Sequence, residues 1–191
     1  MSSVAAPYGF KPVGLLSNRV YGNSLRTIAI TSGYATAIGY GDAVKMANTG
    51  TVAKDTGTIT MTPVGIFVGC YYTDPTSKQP SYHQSWPAST VASDAVAYVV
   101  DDPDIVFQAQ ADGSLTQSAV GQNIGVIQTA DNSYGSSQIA LASATLGTTS
   151  TLPIRIIDYV NGPTSALGDA YTDVICIWNW GIHAYRTATG V

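Results

Sequence analysis

Charge is what this chain has least of. Only 10% of its 191 residues are Asp, Glu, Lys or Arg, against roughly 25% in an average soluble protein. Glutamate is absent: all twelve acids are Asp, set against eight Lys and Arg for a net charge of -4. A surface so poor in charge either sits in an assembly or draws its solubility from Ser, Thr, Asn and Gln. The cations Lys11, Arg19, Arg26, Lys45, Lys54, Lys78, Arg155 and Arg186 form no cluster in sequence. Nucleic-acid binding needs a basic stripe that displaces condensed counterions, so no nucleic-acid partner is expected.

Cysteine and histidine are scarce as well. Cys70 and Cys176 stand far apart in apolar runs and read as small buried hydrophobes of a chain folded in a reducing compartment. His83 and His183 are the two histidines, and no nucleophile elbow, Walker loop or paired zinc motif accompanies them. No enzyme activity, cofactor or metal is therefore expected. The densest carboxylates, Asp101, Asp102 and Asp104, are interrupted by Pro103 and lack the spacing of a calcium loop. They read as an exposed turn. No apolar run approaches the ~20 residues that span a bilayer, and MSSVAAPYGF lacks the pattern of a secretory signal. Synthesis in the cytoplasm without a membrane partner is expected.

What the chain does have is short apolar runs of period two, cut by Gly, Pro, Asp and Asn. The clearest lie within Ser93 to Gly113, where Ile105, Phe107, Ala109 and Ala111 alternate with Val106, Gln108, Gln110 and Asp112. This stretch predicts two strands joined by a tight acidic corner. Similar runs at 25–31, 39–46, 63–72, 124–129, 138–143, 152–160 and 172–180 extend the pattern. A single helical turn is expected after Thr116, stopped by Gly121, and 144–151 reads as a linker. The fold class is all-β, a β-barrel or sandwich of short strands with almost no helix.

Gly41-Asp42-Ala43, Ser93-Asp94-Ala95 and Gly168-Asp169-Ala170 each precede an apolar strand. They read as three similarly built strand starts, the Asp bonding backbone two residues on. Residues 1–24 hold too much Pro and Gly for a helix and too many aromatic and aliphatic residues for a solvated linker. They predict an extended N-terminal arm lying on another surface or folded back on its own domain. A β-rich domain then covers 25–191, with 85–146 as an inserted lobe and 147–191 as C-terminal strands.

The candidate contact residues come from the two chain ends and one aromatic loop. In the arm they are Tyr8, Phe10, Pro12 and Val13; in the loop, Trp86; at the C-terminal end, Trp178, Trp180, Tyr185 and Arg186. Trp178 and Trp180 are expected to share a strand face, and both on one face together with Tyr and Arg have the composition of an interface hot spot. Burial of tryptophan in a β core is the equal alternative.

The segments APYGFKPVG, PVGIFVGCYYTDPTSKQPSYHQSWPA, ASDAVAYVVDDPDIVFQAQADGSLTQ and AYRTATG resemble a family of tailed-bacteriophage head decoration, or cement, proteins. The resemblance implies a β-barrel-like protein on the outer capsid surface of the virion, bound to the major capsid protein, commonly as homotrimers at local threefold positions. The family has no active site. An alternative of another class is a tail or fibre component that binds host carbohydrate through Trp86, Tyr82 and the acidic corner.

Overall fold

The structure is a computed structural model that describes residues 4–22, 25–163, 165–188 and 190. Residues 1–3 and 23–24 of the expected arm lie outside them. β-Branched and aromatic runs punctuated by turn residues favour short strands, and twelve form among the described residues. They are β1 (Lys11–Leu15), β2 (Arg26–Ala29), β3 (Ala43–Met46), β4 (Val52–Lys54), β5 (Gly65–Thr73) and β6 (Pro80–His83). The second half holds β7 (Val96–Val100), β8 (Ile105–Gln110), β9 (Asn123–Ile127), β10 (Ala140–Gly147), β11 (Ile154–Tyr159) and β12 (Asp173–Trp178). Helix among the described residues is limited to single turns at Leu16–Asn18, Gln117–Ala119 and Ala184–Arg186. Thr116 precedes the second, but its hydroxyl meets Ser118 rather than capping the backbone.

The strands make two antiparallel sheets. The first has the order β1–β8–β12–β11–β9–β10, and the second the order β2–β7–β5–β3–β4, with β6 paired to the far half of β5. The first sheet curls until β10 touches the chain just past β8 through one bridge, Ala111 to Leu141. It does not close, so the all-β expectation holds as a sandwich and not as a barrel.

Ser93 to Gly113 does form two strands, but they do not pair with each other. β7 lies between β2 and β5, and β8 between β1 and β12. The acidic corner therefore carries the chain from one sheet to the other. Segment 85–146 supplies both sheets and is not a separate lobe, and residues 144–147 of the expected linker are the end of β10.

Two cores follow from this layering. The first fills the space between the sheets, with Ile66 and Val100 from the second sheet against Phe107, Ile154, Ile156, Cys176 and Trp178 from the first. The second lies on the opposite face of the second sheet, where Val44, Phe67, Cys70 and Val99 are covered by loops carrying Ile38 and Trp86. β5 serves both because it bulges. Its register slips between Phe67 and Gly69, so Phe67, Cys70 and Tyr72 face one core although their numbers do not share a parity. Gly69 adopts φ +137° at the slip, a conformation that side chains rarely tolerate.

The expected arm folds back on its own domain. β1 pairs with β8, and Phe10 is fully buried, its ring 5.0 Å from Phe107 and 5.5 Å from Trp178 in edge contacts. Phe10 is core, which corrects its reading as a contact residue.

Candidate contact surface

The strands of the first sheet bury one set of alternating positions in a core, while the other set mixes aliphatic residues with polar ones, among them Gln108 and Gln110 on β8 and Asp173 on β12. On β12, Val174, Cys176 and Trp178 face inward, while Ile175 and Ile177 face outward and stay partly exposed. On β11 the outward residues are Arg155, Ile157 and Asp158, because a bulge after Ile156 sets Asp158 opposite Ile175. On β8 the outward Val106 belongs to neither core, and Val13 of β1 is exposed on the same side. Leu16 and Val20 continue the aliphatic area past the sheet edge, Val20 at 88% exposure. Val13, Leu16, Val20, Val106 and Ile157 line one shallow groove.

At the end of this face stands a cluster of aromatic and charged residues. Trp180 is 77% exposed, and the Arg186 guanidinium lies 5.0 Å from its ring centre. Asp104 bridges two arginines, 2.6 Å from Arg186 and 3.1 Å from Arg19. Asp101 accepts from Arg26 at 3.3 Å and from the Tyr185 hydroxyl at 2.9 Å. Arg155 shares a 180 Å³ recess with Leu16, Asp104, Trp180 and Arg186. All four arginines of the chain thus meet at the acidic corner. Exposed pairs of this kind contribute only ~0–1 kcal/mol each, but together they hold the long side chains in fixed poses. His183 anchors the cluster from below, its Nδ1 accepting from the Tyr185 amide at 3.2 Å. Burial pushes the His183 imidazole down to about 4, so it is neutral at physiological pH. Burial, reinforced by Asp101, raises the Tyr185 hydroxyl above its ordinary value.

The structure divides the expected contact residues. Val13, Trp180, Tyr185 and Arg186 are exposed or partly exposed on this connected surface, and Pro12 is half-buried within β1. Tyr8 donates its hydroxyl to Asp173, and burial with that carboxylate raises its pKa. Trp178 belongs to the first core and Trp86 to the second, where its Nε1 donates to the Tyr34 carbonyl. Both are corrected from contact to core. Trp178 and Trp180 share no strand face, since β12 ends at Trp178. Leu16, Arg19, Val20, Arg26, Arg155, Asp158 and the three outward isoleucines were not foreseen. A signal for the isoleucines was present, because β12 reads DVICIW with no polar position after Asp173.

Three further expectations can be located. Asp42 and Asp169 each accept an amide three residues back, from Gly39 and Ala166, while Asp94 reaches across to Thr73. The three strand starts are therefore not built alike. Cys70 and Cys176 are free and buried in different cores, and burial pushes the Cys70 thiol up to about 12. Tyr82, at 75% exposure, stands beside Tyr71 and Tyr98 with ring centres 5.0 and 5.8 Å away.

No protein-family model, no curated protein and no solved structure matches the chain.

Proposed function

We propose that this chain is a structural virion protein that binds the outer surface of a tailed-bacteriophage head and stabilises the expanded shell by bridging capsomers. The observation that carries the reading is the outer face of the first sheet, where the exposed Val13 and the partly exposed Ile157, Ile175 and Ile177 lie outside both cores. A protein that works alone gains nothing from an aliphatic outer face continuous with an exposed Trp, Tyr and Arg cluster. A protein that works by contact requires one. The resemblance to cement proteins adds the partner, the major capsid protein, and a homo-oligomeric form, with trimers implied. Binding to the expanded state would stabilise that state by linkage, and an oligomer that engages several shell subunits needs only modest affinity per copy, because later contacts are effectively intramolecular.

The test is electron cryomicroscopy of expanded empty heads mixed with the purified protein. Ordered density on the shell, with the Trp180 end against capsid, is expected. Bare shells, with the protein found only at the tail of native virions, would overturn the reading. The tyrosine row of Tyr71, Tyr82 and Tyr98 favours a second reading, a tail or fibre component that stacks host carbohydrate. Glycan-array binding abolished by Tyr82→Ala would support it.

A further inference from the structure

Strand β11 carries a cation, an aliphatic side chain and an anion in succession on the uncovered face of the first sheet: Arg155, Ile157 and Asp158. We propose that a second copy of this chain covers that face, packed about a two-fold axis that sets Arg155 of each copy against Asp158 of the other. The inference rests on the reading of the face as a contact surface and adds what occupies it.

A two-fold contact uses the same patch twice, so the patch must be complementary to itself. An apolar centre flanked by one charge of each sign meets that condition. Ile157, Ile175 and Ile177 supply the centre, and turning the strand end for end places each charge opposite its counterpart. Both charges are available. Arg155 donates its Nε to Asn123 at 2.9 Å and has no acidic partner among the described residues. Asp158 is exposed and, among the described residues, accepts only the Tyr159 amide beside it.

The chain already covers the other end of this face itself. Ala6 donates its amide to Gln110 at 2.8 Å, and Tyr8 its hydroxyl to Asp173. That cover reaches Gln108 beside Ile175; beyond it, Ile175 and Ile177 lie between Val106 and Gln108 of β8 and Arg155 and Asp158 of β11. The covered end is closed within the chain, and the isoleucines with their flanking charges are left for association. Because the contact is a two-fold pair, it gives a dimer in place of the trimer that the resemblance implies, and a threefold ring would have to use another face.

The experiment is sedimentation of the wild-type protein and of two single charge reversals, Arg155→Asp and Asp158→Arg, at low and high salt. The wild type should form dimers that weaken as salt rises, and each reversal alone should weaken self-association by about tenfold or more. An equimolar mixture of the two single variants should form a heterodimer, since both cross-pairs are then attractive. The double reversal should dimerise again, which also shows that the substitutions leave the fold intact. A monomeric wild type, a trimer indifferent to both reversals, or a mixture no heavier than its components would each overturn the proposal. Head binding is read separately: dimers that never bind heads remove the virion reading alone, and monomers that bind heads remove the two-fold contact alone.

Discussion

Lys54 on the second sheet and Asp131 on the connection between β9 and β10 of the first lie 2.8 Å apart, Nζ to Oδ1. The same ammonium is 2.7 Å from Asp42 Oδ2, and Asp42 is fully buried with its other oxygen unpartnered. The triad ties the second sheet to the connection between β9 and β10 of the first. Burial opposes the charge on Lys54, but the two carboxylates outweigh it and hold the ammonium above its ordinary pKa. Asp131 is raised by burial and by the neighbouring Asp42.

Lys54→Met should therefore be strongly destabilising, because it leaves two carboxylates buried together without their cation. A cost of about 3–5 kcal/mol is expected from removing one member of a buried ionic group. Adding Asp42→Asn should recover part of the loss. Urea unfolding midpoints of the single and double variants measure both effects, and a single-variant cost below ~1 kcal/mol would show that the triad is effectively solvated.

The strands were legible in the sequence and their partners were not. Alternation at Ile105, Phe107, Ala109 and Ala111 reported local burial, and all four side chains are in the first core. The same alternation cannot say which strand lies alongside, because pairing is decided by residues far away in the chain. β7 and β8 looked like a hairpin for that reason. Lys54 and Asp131 escaped notice as two isolated charges, as did the four arginines, which gather only once β2, β11, the turn after β1 and the C-terminal turn are assembled around the corner between β7 and β8. Trp86 and Trp180 show the limit most directly: both sit in loops beside small and turn-forming residues, yet one is fully buried and the other 77% exposed.

The placement of Phe10 changes what an N-terminal deletion should do. Removal of residues 1–16 takes away β1 and a ring held between Phe107 and Trp178. It should lower stability rather than merely weaken partner binding. Phe10→Ala alone should cost about 3–5 kcal/mol, read as a fall in thermal midpoint, whereas Val13→Ala should cost less than ~1 kcal/mol and act on association. A Phe10→Ala protein as stable as the wild type would return the segment to the status of a free arm.

The two neighbouring tryptophans should separate stability from contact. Trp178 is buried in the aromatic cluster, its ring 4.8 Å from Phe107, so Trp178→Ala should destabilise by about 3–5 kcal/mol. Trp180→Ala should leave the unfolding midpoint within ~0.5 kcal/mol of wild type and weaken partner binding by about 2 kcal/mol or more, as hot-spot truncations do. Chemical denaturation together with binding isotherms to heads makes the comparison. A Trp180→Ala protein that binds normally would remove this end of the molecule from the contact.

His183 makes both stability and contact depend on acid. Its imidazole, held down to about 4 by burial, takes up a proton later than the ~6.5 of an exposed histidine. The unfolded chain therefore binds more protons over the interval, and stability present above pH ~6.5 is lost as the pH falls towards 4, by about 3 kcal/mol in total. Asp131 and Asp173, raised by burial, act in the opposite direction, so the effect must be read as the difference between wild type and His183→Gln. Arg186 disfavours the imidazolium, while Asp101 and Asp102 favour it. Protonation at Nδ1 also removes the acceptor for the Tyr185 amide, which releases the turn that carries Tyr185 and Arg186. Partner binding should then fall in the same pH window as stability in the wild type. A stability difference between wild type and His183→Gln that is flat from pH 6.5 to 4 would show that the imidazole is not held neutral by the fold.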